Sequence, residues 1–266
     1  MDKVELDGQD WMKMAKYTST DIMAIVAAKQ LEDGKSVILG TGLPVVAGLF
    51  AQRTCAPNLL IIFEAGGVGP IIPTLPISVG DSRTFHRACM ASSMHDVMSA
   101  GSAGYVDYGF LGAAMIDERG NINTTVIGDW DRPKVRLPGS GGANDVGSFC
   151  HRTMIIMKQD RSKFVKKVDF ITTPGYLDGP GARERAGLPA NSGPYRVITQ
   201  LAVYDFDEKT KKIRLRSLHP GVTVEQIMEN SSMAIIIPKK IVTSPEPTKK
   251  ELRILREIDP YGIVIR

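Results

Sequence analysis

Apolar positions in this chain fall into short runs, and the punctuation between them predicts what each run becomes. Thr18-Ser19-Thr20-Asp21 precedes Ile22, Ile25 and Val26. Side-chain oxygens of such residues accept the orphan N–H groups of a first helical turn. The spacing predicts an amphipathic helix closing near Asp33-Gly34, with Gly34 as C-cap. Residues 36–39 read as a short strand. Gly40-Thr41-Gly42-Leu43-Pro44 then leads into a helix over 45–53, and Pro44 suits its first turn. Leu59-Leu60-Ile61-Ile62-Phe63 is a continuous apolar run of the kind that fills a buried strand, and it ends at Glu64. The order α-β-α-β predicts an α/β fold with an open, mostly parallel sheet covered by helices.

The middle of the chain is dense in glycine. Strands are predicted over 105–107 and 110–116, with a turn at Asp117-Glu118-Arg119-Gly120-Asn121. Residues 122–127 alternate only loosely. Pro138-Gly139-Ser140-Gly141-Gly142-Ala143-Asn144-Asp145 is a loop, and 154–157 and 168–172 are further strands. Residues 173–189 form a glycine- and proline-rich loop. A hairpin with arms 195–206 and 213–218 turns at 207–211. Helices are predicted over 222–230 and 248–258, the second after a proline-marked linker at 244–247. With no internal repeat, the chain reads as a polar extension over 1–15 and one α/β domain over 16–266, whose end is a C-terminal extension.

Composition narrows the function classes. A length of 266 residues suffices for a sizeable core. Lys+Arg less Asp+Glu is 33 − 29, a net charge of +4, too mild to argue for nucleic acid. The densest basic run, Arg161-Ser162-Lys163-Phe164-Val165-Lys166-Lys167, reads as a solvated face, the sharper alternative being a contact for nucleotide-like phosphates. Cys55, Cys89 and Cys150 are too few and scattered for a disulfide framework, which fits a reducing, cytoplasmic setting. His86, His95, His151 and His219 have no metal-ligand spacing, so no metal is expected. The first residues do not read as a signal peptide, and no apolar window predicts a membrane span.

Two features carry candidate chemistry. Glu64 sits at the carboxyl end of a predicted strand, followed by Ala65-Gly66-Gly67. In open α/β sheets ligands bind in the crevice beyond those ends. Strands also commonly end in a solvated polar residue. The Gly139-to-Asn144 loop can turn successive N–H groups toward one point, a nest for a phosphate or an oxyanion. It matches neither the phosphate-loop nor the dinucleotide pattern. There is no Gly-x-Ser-x-Gly elbow, and none of the cysteines has a nucleophile's setting. A carboxylate and an oxyanion nest together suggest acyl chemistry with Glu64 as nucleophile.

Several motifs in collinear order then carry a resemblance. They are Gly40-Thr41-Gly42-Leu43-Pro44, the strand ending in Glu64-x-Gly, Gly120-Asn121-Ile122-Asn123-Thr124-Thr125 through Gly128-Asp129, Gly139-Ser140-Gly141-Gly142-Ala143-Asn144, Thr173-Pro174-Gly175-Tyr176-Leu177-Asp178-Gly179-Pro180-Gly181-Ala182-Arg183-Glu184-Arg185, and Glu257-Ile258-Asp259-Pro260. On these the chain resembles the B subunits of family I CoA-transferases, of the glutaconate CoA-transferase type. The resemblance implies a CoA-transferase/NagB-like fold and an A-type partner subunit in an A2B2 assembly. It implies acyl-CoA and a small carboxylic acid as substrates, with no permanently bound cofactor. It makes Glu64 the nucleophile, forming a mixed anhydride and then a glutamyl-CoA thioester. Gly141, Gly142, Ala143, Asn144 and Asn123 are expected around the oxyanion and substrate, and Gly40, Gly42, Arg183 and Arg185 as contacts for CoA or a carboxylate. Two departures stand out. The family usually has serine or asparagine at Ala65, and often glutamine at Met115. The same scaffold carries acyl-CoA hydrolases, ring-opening hydrolases and decarboxylases, which form the alternative reading; a non-catalytic ligand-sensing chain is a third.

Overall fold

The computed structural model describes residues 17–265, so the predicted extension over 1–15 lies outside the described residues. The first four elements form in the predicted order, α1 (Ser19–Ala28), β1 (Ser36–Ile38), α2 (Leu43–Thr54) and β2 (Leu60–Ile62), but α1 ends at Ala28 with Lys29 as its C-cap, short of Gly34. Thr18 Oγ1 accepts from the Asp21 N–H at 3.2 Å, and the Asp21 carboxylate accepts from the Thr18 N–H at 2.7 Å. This reciprocal pair satisfies two orphan donors and sets the start of α1. After β2 the chain runs through β3 (Gly67–Val68), β4 (Met90–Ala91), α3 (Met94–Ser102), β5 (Tyr108–Leu111), β6 (Met115–Asp117), β7 (Ile122–Asn123), β8 (Val126–Gly128), β9 (Pro133–Arg136) and α4 (Ala143–Phe149). The remainder is β10 (Arg152–Ile156), β11 (Phe164–Val165), α5 (Ala182–Arg185), β12 (Gly193–Ile198), β13 (Ala202–Phe206), β14 (Ile213–Leu218), α6 (Val224–Glu229), β15 (Val242–Thr243) and α7 (Lys249–Ile258).

Among the described residues ten strands form the main sheet, in the order β15-β14-β13-β12-β10-β5-β1-β2-β3-β4. The central block β12-β10-β5-β1-β2 is parallel, with antiparallel strands on both flanks. The chain leaves β1 toward β2 on one side, then returns to lay β5 on the other. Beyond the carboxyl ends of strands at such a reversal is the place where open α/β sheets bind ligands. Side chains alternate across the sheet as the pleat requires. Val37, Ile61, Phe63, Phe110 and Met154 join α1, α2 and α7 in one core cluster. Ile38, Ile62, Leu111 and Ile155 join Val97 of α3 and Val146 of α4 in a second. The C-terminal helix is therefore integral to the core: Leu255 and Ile258 of α7 are buried in the first cluster.

Several predicted elements differ. Residues 105–107 are a loop, because the Asp107 carboxylate takes the Ser36 N–H at 3.0 Å in place of a ladder bond. The strand predicted over 110–116 breaks at Gly112, with β5 in the main sheet and β6 in a small sheet with β7 and β11. Residues 168–172 form no strand, although the Thr172 N–H donates to the Ile122 carbonyl of β7 at 2.9 Å. Phe170 stacks on Trp130 at 5.1 Å, and the Asp169 carboxylate accepts from the Gly128 N–H at 2.8 Å. The strand lies earlier, at β11 inside the basic run, because Phe164 is fully buried there. The hairpin arm over 195–206 is two strands, broken where Thr199 Oγ1 accepts from the Leu201 and Ala202 N–H groups. Helices α3 and α4 were not predicted.

Candidate active site

Glu64 lies in the turn between β2 and β3. The Gly66 N–H donates to the Phe63 carbonyl at 2.9 Å, and the Phe63 N–H donates to the Gly67 carbonyl at 2.8 Å. Glu64 and Ala65 are thus the central residues of a tight hairpin turn. Gly66 has φ +117°, and the Ser92 backbone carbonyl occupies the space a Cβ would need. The Thr84 carbonyl similarly abuts Gly67. These close approaches are open only to glycine, and they clamp the turn between two other segments. Phe63 points into the α1–α2 face, so the alternation sends Glu64 toward the α3–α4 face. There its carboxylate meets Gly142: a Cβ built on Gly142 would lie 3.2 Å from Glu64 Oε2 and 2.9 Å from Met98 Cε of α3. Glu64 is half-buried and enters none of the ion pairs among the described residues.

The fold therefore brings together two features that lie far apart along the chain. The loop's donors divide into two sets. The Ala143 N–H is taken by the Ser140 carbonyl at 3.0 Å and the Asn144 N–H by Ser140 Oγ at 3.1 Å. Among the described residues the N–H groups of Gly141 and Gly142 have no protein acceptor. Gly139 and Gly141 have φ +95° and +50°, and a Cβ on either would meet open space. Gly40 and Gly42 follow β1, whose last register pair with β2 is Ile38 with Ile62, two residues before Gly40 and Glu64. No atom lies within 4 Å of a Cβ built on Gly40 or Gly42. These glycines leave open space after β1, at the topological switch.

The side chains of Asn123, Asn144 and Arg183, expected at the substrate, all bond to the chain itself. Asn123 is fully buried. Its Oδ1 accepts from the Thr125 and Val126 N–H groups at 3.0 and 3.2 Å, and its Nδ2 donates to the Val126 carbonyl at 2.6 Å. That turn aims Thr124 and Thr125. The Thr124 hydroxyl donates to the Gly139 carbonyl and the Thr124 carbonyl accepts from the Gly139 N–H, both at 2.8 Å. Asn144 Nδ2 donates to the Thr172 carbonyl at 2.9 Å. Arg183 is 2 % exposed and forms no ion pair with Glu184; its guanidinium donates to backbone carbonyls and Ser192. Burial lowers its pKa from the ordinary guanidinium value. Arg185 is exposed, with a single long bond of 3.5 Å to the Pro180 carbonyl.

The sequence missed the residues that hold the loop. Thr172 and Met98 carry no motif of their own, and Ser140 stood within the glycine motif without a role. Helix α3 did have a signal: Ser93 and Asp96 form a capping box, a Ser-x-x-Asp spacing legible in the chain. The remaining candidates recede. Burial pushes the Cys150 thiol up to about 12, which keeps it protonated and inert. No group of three metal-ligating side chains occurs among the described residues. Lys166 and Lys167 line a cleft of about 550 Å³, but Asp117, Glu118 and Asp178 share it, which offsets its attraction for phosphate. No helix among the described residues is long and apolar enough to cross a membrane.

Residues 20–230 match the family model for coenzyme A transferases. The chain belongs to the coenzyme A transferase family. This CoA-transferase chain is 38% identical over 251 residues to the B subunit of the glutaconate CoA-transferase of Acidaminococcus fermentans, covering 92% of this chain and 93% of that one. It is also 38% identical over 253 residues to the B subunit of the 3-oxoadipate CoA-transferase of Pseudomonas knackmussii, covering 92% and 95%. The crystal structure of the A. fermentans glutaconate enzyme matches its fold with a TM-score of 0.89, over 94% of this chain and 98% of that one, at 36% identity. A more distant similarity, 30% over 225 residues and 83% of each chain, links it to the cholesterol ring-cleaving hydrolase IpdB subunit of Rhodococcus jostii. The CoA-transferase is thus of the B-subunit type, and coenzyme A is a substrate of its family.

Proposed function

We propose that this chain supplies the nucleophile of a transferase that moves CoA from an acyl-CoA to a small dicarboxylic acid, with Glu64 as the attacking carboxylate. The observation that carries the reading is the contact of that carboxylate with Gly142, beside two N–H groups that no protein acceptor uses. The relatives named for glutaconate and 3-oxoadipate, both dicarboxylates, support the substrate class. The B-type relatives support an A-type partner subunit, and we take the assembly as A2B2 in the cytoplasm.

A Glu64 oxygen attacks the thioester carbon, and the negative charge moves to the carbonyl oxygen. Collapse breaks the C–S bond, releases CoA thiolate and leaves an acyl-glutamyl anhydride. The thiolate attacks the glutamyl carbonyl, expels the first acid as its carboxylate, and leaves Glu64 as a CoA thioester. The second acid attacks that thioester and the steps run backward, restoring the Glu64 carboxylate. Each step exchanges one acyl bond for another, so the reading needs no permanently bound cofactor. A carboxylate of reference pKa about 4.3 is a poor nucleophile toward a thioester whose leaving thiol sits near about 8.5. Oxyanion stabilisation must offset that mismatch, and one well-placed donor contributes roughly 3 kcal/mol. The Gly141 and Gly142 N–H groups are our candidates, with Gly40 and Gly42 beside them where the CoA arm enters. Binding energy from the remote nucleotide end of CoA supplies the rest.

The likeness to a ring-cleaving hydrolase subunit, together with Ala65 where the family usually has a polar residue, favours a second reading in which water replaces the acceptor acid. The two readings separate by acceptor dependence. With the A-type partner co-purified, transfer predicts a new acyl-CoA only when a second acid is present, and no turnover in Glu64→Gln. Consumption of acyl-CoA without any acceptor would favour hydrolysis.

A further inference from the structure

Arg183 is a cation buried without an anion. It is 2 % exposed, and no carboxylate pairs with it among the described residues. A buried charge is costly unless its hydrogen bonds are met. The two terminal nitrogens of Arg183 meet theirs from three separate segments, while its buried Nε has no partner. Nη1 donates to the Pro174 and Gly175 carbonyls at 3.1 and 2.9 Å; Nη2 donates to the Gly147 and Ser148 carbonyls at 3.1 and 3.2 Å and to Ser192 Oγ at 2.9 Å. Gly147 and Ser148 lie in the last turn of α4, where the helix's partial negative charge favours a cation. The fork thus bolts the carboxyl end of α4 to the 174–175 loop. That loop is itself fixed: Asn121 Oδ1 accepts from the Gly175 and Leu177 N–H groups at 2.8 and 3.0 Å. Gly193, at φ +134°, makes room, since a Cβ there would stand 3.2 Å from Arg183 Nε and Cδ.

The other end of α4 begins at Gly142, against the Glu64 carboxylate. A helix of 7 residues has little stability of its own, so its contacts decide where it sits. Two glycines let it sit close: Gly109 beneath Val146, and Gly147 beneath Thr173. Gly142 and Ser148 are roughly 9 Å apart along the axis, a single rigid unit. The geometry points to Arg183 as a positioning residue: it sets α4 from its carboxyl end so that Gly141 and Gly142 stand at the reacting carbonyl. This rests on the reading of Glu64 as nucleophile. Arg183 touches no reacting atom and does not bind the substrate carboxylate.

The test uses the co-purified complex with Arg183→Lys, Gly142→Ala, the double variant and Glu64→Gln as control. Lysine keeps the charge but cannot span both segments. Misplacement of a reacting group by about 1 Å costs on the order of 100-fold, so Arg183→Lys is expected to lower kcat by about that factor. The acyl-CoA and acceptor KM should stay within about threefold, because neither substrate contacts Arg183. Two residues acting through one helix give non-additive losses, so the double variant should lose about 100-fold as well, not about 10⁴-fold. Full kcat in a folded Arg183→Lys, a rise confined to acceptor KM, or additive losses would each overturn the inference. If Arg183→Lys does not fold, Ser192→Ala decides instead: a fall of about threefold in kcat at unchanged KM supports the inference, and unchanged kcat overturns it. Activity retained in Glu64→Gln would overturn the nucleophile reading itself, a result distinct from all of these.

Discussion

The turn that carries Glu64 and the loop that ends at Gly142 meet at one contact, yet the chain fixes them by opposite means. The turn is closed by its own residues, with the Ser92 and Thr84 carbonyls packed on its glycines. Phe63 pairs with Gly66 and Gly67 at 2.9 and 2.8 Å, directly after a strand of the parallel sheet. The loop is held from a distance. Thr124 binds Gly139, Thr172 binds Asn144, and Arg183 binds the far end of α4. A nucleophile needs a rigid mount, which a strand supplies from a handful of adjacent residues. A charge-stabilising nest must be aimed at a point in space, which only tertiary contacts can do.

The largest break in this comparison is Glu64→Gln. The side chain enters no ion pair, so folding should be unaffected while kcat falls on the order of 10⁴-fold or more. Transfer assays beside thermal melts check it. Next comes Gly66→Ala, which forces a Cβ toward the Ser92 carbonyl at φ +117°. The local mount should lose about 3 kcal/mol or more in urea denaturation. Tolerance would mean that the turn is plastic. Gly142→Ala should do the reverse. Its Cβ meets only the flexible ends of Met98 and Glu64, at 2.9 and 3.2 Å, so stability holds while kcat falls about 100-fold.

Asn123→Ala sharpens the distinction between bracing and binding. It frees the Val126 carbonyl and the turn that aims Thr124, at about 1–2 kcal/mol in stability. A modest fall in kcat with unchanged acceptor KM is expected, and a selective rise in acceptor KM would return Asn123 to a substrate role. His219 is a control that bonds to neither region. It is 2 % exposed, its Nε2 bonds the Thr199 carbonyl at 2.9 Å, and burial lowers its pKa below the ordinary 6.5. The unfolded chain takes up a proton there before the folded one does, so stability should fall as pH drops below about 6.5. His219→Gln should flatten that slope with no effect on the pH profile of kcat.

This contrast also explains what the chain disclosed before folding. The apolar run 59–63 and the glycines after it made Glu64 legible, and the first four elements formed almost as spaced. Helix α4 was not legible: Gly142 makes no side-chain cap, and the helix is short and glycine-bearing. The strand expected over 168–172 failed because Phe170 and Asp169 attach by side chains. Arg183 invited a carboxylate-binding reading because arginine forks match carboxylates, but burial turned its fork toward backbone carbonyls. Asn123 Nδ2 bonds the Val126 carbonyl and Asn144 Nδ2 the Thr172 carbonyl, bonds that motif position alone did not disclose.

The central claim is covalent chemistry at Glu64, and trapping tests it most directly. The complex with its A-type partner is incubated with an acyl-CoA and quenched with borohydride, and the peptide containing Glu64 is weighed. A thioester is reduced to an alcohol, so the account predicts a mass loss that localises to Glu64 and requires acyl-CoA. Turnover of acyl-CoA with an unmodified Glu64 would contradict it.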